Sequence, residues 1–129
     1  MWEDILRKKD DLEYPTQYVL LGQTYLLKGN FNKAIRAYQK ALRLEPERPK
    51  AQLFLANAWF KKAVNSRNAT KKEREKCLYK ALVHYNKANT LSPRSIIGEW
   101  ARKQIREVDN SVTSPGHVKS LKELSRTVK

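Results

Sequence analysis

Apolar and small residues recur along this chain with a helical period, and the pattern itself repeats. Tyr18, Leu21, Gly22 and Tyr25 stand at the i, i+3, i+4, i+7 spacing that places them on one face of a helix. A second run sets Ala34 and Ala41 two turns apart with Tyr38 between them, and Pro46 ends it. Gly22 marks a place where another helix crosses closely, and the two alanines let neighbouring helices approach. Leu55, Ala56 and Trp59 follow Leu21, Gly22 and Tyr25 by 34 residues, whereas Ala81, Tyr85, Ala88 and Pro93 follow Ala34, Tyr38, Ala41 and Pro46 by 47. Self-similarity at such a period signals a helical repeat array. The expected fold is all-α: antiparallel helix pairs stacked side by side.

The eight spaced positions within residues 15–48 resemble the tetratricopeptide repeat, with Tyr18 where the family usually carries Trp. A second copy begins at Pro49 and ends about Pro93. It departs from the pattern at Gln52, where the large apolar residue is missing, and it carries 13 extra residues near 62–74. A third first-helix, about residues 96–109, is degenerate. Trp100 and Ala101 resemble Leu55 and Ala56 at an offset of 45, and the segment reads as a capping helix. The expected organisation is one tetratricopeptide domain over 1–110. It comprises repeats at 15–48 and 49–95 and a cap at 96–110, followed by a linker and short amphipathic tail at 111–129. Repeats supply one another's core, so an array this short needs its ends covered. Trp2, Ile5 and Leu6 offer an N-terminal cap. Val118, Leu121, Leu124 and Val128 recur at helical spacing after a linker-like 110–117. That tail has four outcomes open: packing on the body, lying in its own groove, lying in a neighbour's groove as a homo-oligomer, or fraying.

The insertion falls between the two helices of the second pair. Thr70 followed by Glu73 forms a capping box, so the second helix is expected from Lys71 to about Thr90. The first helix is expected to reach Val64 or Asn65, leaving Ser66 to Ala69 as the loop. The result is a long projecting hairpin carrying Lys61, Lys62, Arg67, Lys71, Lys72, Arg74, Lys76 and Lys80.

In tetratricopeptide proteins the first helices line a concave groove that holds a partner segment. Carried over by register, that groove presents Thr16, Val19, Gln23, Leu26 and Leu27 from the first repeat. From the second it presents Lys50, Leu53, Phe54, Asn57, Phe60 and Lys61. Val19, Leu26, Leu53 and Phe60 suit apolar contact, and an aromatic such as Phe60 suits an anchor. Gln23 and Asn57 each donate and accept, as the backbone of an extended chain requires. Leu26, Leu53 and Phe60 equally suit ordinary packing between repeats. One subgroup of the family binds acidic chaperone C-termini through a clamp of lysines, an arginine and asparagines. Val19, Gln23 and Phe54 stand at the matching positions, so the carboxylate clamp is absent.

Composition narrows the chemistry. The net charge of the 129-residue chain is +14, and residues 49–93 alone contribute +8. Lys62, Arg67, Lys71, Lys72, Arg74 and Lys76 therefore read either as a solvated surface or as a contact for an acidic protein or nucleic acid. Few aromatics are interleaved with that run, so base stacking is not encoded there and any nucleic-acid binding is expected to be sequence-indifferent. Cys77 is the single cysteine and reads as a packed or half-exposed structural thiol, rather than a nucleophile, in a reducing compartment. His84 and His117 are far apart and lack an acidic or cysteine partner in sequence. With no phosphate loop and no metal-ligand spacing, the sequence gives no positive reason to call this an enzyme, and no cofactor is implied. No apolar run approaches a membrane span, and Met1 is followed by Trp2, Glu3 and Asp4 rather than a basic-then-apolar leader. The expected location is cytoplasmic or otherwise intracellular. The function expected first is a non-catalytic scaffold that binds a protein or peptide segment, with the basic hairpin as a second contact. Sequence-indifferent nucleic-acid binding and self-assembly through the tail are the alternatives.

Overall fold

The structure, a computed structural model, describes residues 14–66 and 68–111. Trp2, Ile5 and Leu6, Arg67, His117, and the tail residues Val118, Leu121, Leu124 and Val128 lie outside the described residues. Five helices follow one another: α1 (Pro15–Leu27), α2 (Phe31–Leu44), α3 (Pro49–Asn65), α4 (Lys71–Leu91) and α5 (Ile96–Ser111).

Local chemistry sets the helix ends. Pro15 and Pro49 occupy the first turns of α1 and α3, where a missing N–H costs nothing. The Gln17 side chain accepts from the Tyr14 N–H at 3.1 Å. Past α1, Gly29 takes φ +79°, and the Asn30 N–H returns to the Tyr25 carbonyl at 2.9 Å. That left-handed residue lets the chain reverse directly into α2. At the other hairpin, Thr70 Oγ1 accepts from the Glu73 N–H at 3.1 Å and fixes the start of α4. Removing this cap in Thr70→Ala is expected to lower stability by about 1 kcal/mol, seen as a lower urea midpoint at constant slope. An unchanged midpoint would mean that the end of α4 frays regardless.

Packing is sequential. α1 lies against α2, α2 against α3, α3 against α4 and α4 against α5, and the first helices also touch, α1 with α3 and α3 with α5. α2 and α4 do not meet. One core, built around Tyr18, Leu21, Ile35, Tyr38 and Leu55, fills the first hairpin and its junction with α3. A second, around Leu78, Leu82, Tyr85, Ala101 and Val108, joins α3, α4 and α5. α3 contributes to both, and Trp59 packs against both. The architecture is an all-α stack of helical hairpins, with α1, α3 and α5 as the inner row.

The third first-helix seats in part as its register implies. Ala101 is fully buried, as is Ala56, whereas Trp100 is 50% exposed where Leu55 is 1%. Gly98 holds the start of α5 down, because a Cβ there would meet the backbone carbonyls of Ser92 and Pro93.

Candidate functional site

Residues 34 apart occupy equivalent places on α1 and α3. Val19 and Leu53 are buried, at 5% and 8% exposure, and contribute to the two cores. Leu26, Phe54 and Phe60 are half-buried, while Lys50 and Lys61 are exposed. Leu27 is 90% exposed. The Lys50 ammonium lies over the Phe54 ring, 5.9 Å from its centroid, and Phe54 in turn neighbours the Tyr38 ring at 6.0 Å.

The two amides differ. Tyr85 donates its hydroxyl hydrogen bond to Asn57 Oδ1. This leaves Asn57 mainly its amide N–H groups to offer. In the first hairpin the equivalent pair is Tyr38 and Gln23. There the Tyr38 hydroxyl is buried without a hydrogen-bond partner among the described residues. The half-buried Gln23 side chain likewise makes no hydrogen bond among the described residues. Burial raises the ionisation of both tyrosines well above the ordinary phenol value, so each hydroxyl stays neutral.

Gln52, the departure in the second repeat, has a physical reason. His84 Nδ1 and Gln52 Oε1 lie 2.7 Å apart, and Gln52 Nε2 donates to the Pro46 carbonyl at 3.4 Å. With the amide oriented by Pro46, His84 is the donor and its Nδ1 carries the hydrogen. The equivalent positions of the first hairpin hold Tyr18 and Ala37. A ring and a methyl have been exchanged for a hydrogen-bonded polar pair, in a site where Gln52 is only 6% exposed. Burial, reinforced by Lys87 and Lys80, pushes the His84 pKa down to about 4.

The basic residues divide into two groups. Lys71, Lys72, Arg74 and Lys76 stand exposed along the first turns of α4, and Arg74 donates to the Ser66 carbonyl at 3.3 Å. Lys62 is half-buried, with its ammonium 5.3 Å from the centre of the Trp59 ring; Lys80 reaches the same ring at 5.2 Å. These side chains border a cleft of about 430 Å³ whose lining runs from Gln39 of α2 across Trp59 and Ala63 to Cys77 of α4. A second cleft of about 350 Å³, lined by the α1–α2 turn with Lys33 and Arg36, shares Lys62 and Ser66 with it. Sequence reasoning read Trp59 only as a repeat position and did not connect Lys33 or Arg36 with the hairpin. The one local signal was Lys62 three residues beyond Trp59, one turn along the same helix. Cys77 is buried in this cleft. Burial pushes its thiol up despite nearby lysines, which suits a packing role rather than a nucleophile.

Among the described residues, no group of three His, Cys, Asp or Glu is placed to hold a metal ion. Nor is any helix there long and apolar enough to cross a membrane.

Stacked antiparallel hairpins, each with a small residue where its helices cross and an inner row of first helices, define a helical-repeat scaffold. The tetratricopeptide repeat family model matches residues 15–48, the segment spanning α1 and α2. That segment carries a tetratricopeptide repeat, and the second hairpin stacks on it in the same helical register. A search of the curated proteins finds no match to the chain. The family is one of non-catalytic scaffolds, and its general role is protein–protein interaction.

Proposed function

We propose that the chain binds an extended or helical segment of a protein partner along the inner face of α1 and α3, with Gln23 as the central polar contact. The observation that carries this reading is the Gln23 amide, which is uncommitted among the described residues. Asn57, its equivalent, is engaged by Tyr85, whereas Gln23 keeps a donor and an acceptor for a partner's backbone. Half-buried Leu26 and Phe60 flank the amides one turn further along each helix and provide apolar contact area. Exposed Lys50 and Lys61 border the face and favour a segment with acidic flanks. Val19 and Leu53 sit beneath this surface and support it more than they touch the ligand. The basic hairpin, with Lys62, Arg67, Lys71, Lys72, Arg74 and Lys76, supplies the second contact.

Peptides selected from a random display library on the full chain test the reading. Leu26→Glu is expected to weaken their binding by at least about tenfold, since it places a charge in the apolar contact. Short peptides that reach only the inner face are expected to bind Lys72→Glu within about twofold, because they do not extend to the hairpin contact. Selected peptides without acidic residues that survive Leu26→Glu and Gln23→Ala alike would exclude this face.

A further inference from the structure

We infer that the cleft between α2 and α4, floored by Trp59, is a second ligand site that takes an acidic segment of a protein partner. The inference rests on reading the chain as a protein-interaction scaffold and names what the basic hairpin recognises. It differs from the inner-face groove in both place and chemistry.

Charge is the first argument. Lys62, Arg74, Lys76 and Lys80 surround the cleft, and Lys33 and Arg36 extend the positive surface into the adjoining one. Among the described residues, Glu73 is the only carboxylate in the two linings. These cations come from three separate places in the chain: α2, the end of α3 and the start of α4. A helix that merely needs a solvated face spreads its charge over its own surface. Here the tertiary fold converges it on a concavity.

Shape is the second. The two clefts, of about 430 and 350 Å³, adjoin at Lys62 and Ser66, and the larger alone has room for more than one side chain. Trp59, Ala63 and Cys77 give the larger part an apolar floor. A carboxylate entering it sheds water on one side while meeting ammonium groups on the other, and the lower local dielectric strengthens that attraction. Lys62 and Lys80 are already positioned by the Trp59 ring, so less side-chain freedom is lost on binding.

The same ring argues for a peptide over a nucleic acid. Sequence-tolerant binding of single strands uses open aromatic faces for base stacking. Trp59 carries two lysine ammoniums instead, and a base would have to displace them. Gln39 and Ser66 on the wall suit the amides of a peptide backbone.

Fluorescence anisotropy on the full chain tests this, with a labelled glutamate-rich peptide as the probe at physiological salt. Comparison probes are its glutamine counterpart, a version with phosphoserine in place of glutamate, and an oligouridylate of equal charge. The glutamate peptide is expected to bind and the glutamine peptide to fail. Lys62→Gln with Lys80→Gln is expected to cost at least about tenfold, and Lys50→Gln with Lys61→Gln on the inner face less than about twofold. Tighter binding of the phosphoserine peptide with the same dependence on Lys62 and Lys80 would support the site and identify phosphate as its preferred anion. An unchanged affinity in the Lys62/Lys80 variant overturns the proposal, as does oligouridylate binding more tightly than the acidic peptide. Both variants keep polar side chains on helices, and circular dichroism checks that they fold. Display-selected groove peptides are expected to bind the Lys62/Lys80 variant normally, so loss of either site is read independently of the other.

Discussion

Gly22→Val is expected to destabilise the chain by about 3 kcal/mol, and Gly22→Ala by about 1 kcal/mol. A Cβ at position 22 would stand 2.5 Å from Tyr38 Cε1 and 2.7 Å from Cδ1, far inside van der Waals contact. The Tyr38 ring is fully buried and has Phe54 as its neighbour at 6.0 Å, so it has little space to withdraw. The gain in helix propensity from glycine to alanine, about 1 kcal/mol, offsets part of the alanine cost but not the valine cost. The second hairpin carries Ala56 at the equivalent position, and there Tyr85 is anchored by its bond to Asn57. Tyr38 lacks that anchor and lies directly over the bare glycine. Urea unfolding of Gly22→Val, of Tyr38→Leu and of the double variant checks the cause. A smaller ring-free side chain at 38 should recover part of the valine penalty, so the two changes should fall short of additivity. Strict additivity would show that Gly22 acts through something other than Tyr38.

Acidification is expected to produce the second large effect. His84 is depressed to about 4 in the folded chain, against about 6.5 for an exposed imidazole. The unfolded chain therefore binds more protons than the folded one between those values, and stability rises with pH across the window. The contribution is fully present above about pH 6.5 and is lost as pH falls through 4, amounting to roughly 3 kcal/mol. The causes are the burial that makes an imidazolium costly and the adjacent Lys87 and Lys80. Gln52 offers no compensating negative charge, only an amide oxygen that a neutral imidazole already satisfies. Carboxylates titrate in the same range, so the informative quantity is the difference between the wild-type chain and His84→Gln, measured by urea unfolding at pH 7 and pH 4.5. The variant is expected to lose less stability on acidification. Equal losses would place the proton elsewhere.

The fold was legible because the apolar spacing and the crossing residues Gly22 and Ala56 carry the hairpin geometry locally. Thr70 and Glu73 marked the start of α4 for the same reason: a cap is written within four residues. Depth was less legible. Register alone assigns Val19 and Leu53 to the inner face but does not reveal that they sink into the cores while Leu26 and Phe60 remain half-buried. Pairings across the stack were not legible at all. Gln52 looked like a missing apolar residue and His84 like a histidine without a partner, yet they complete each other across 32 residues. The Trp59 cleft escaped notice because it exists only where α2 and α4 stand apart, a property of the stack that no single segment encodes.

Binding of the partner along the inner face of α1 and α3 has a residue-specific signature. That binding is tested most directly by mapping amide and side-chain NMR shifts of the full chain on titration with a display-selected peptide. The largest changes are expected at Gln23, Leu26, Asn57 and Phe60, with smaller ones at Lys50 and Lys61 and little at the exposed lysines of α4. Gln23 and Leu26 left unmoved by peptides whose binding persists in the Lys62→Gln, Lys80→Gln variant would exclude the inner face as the binding surface.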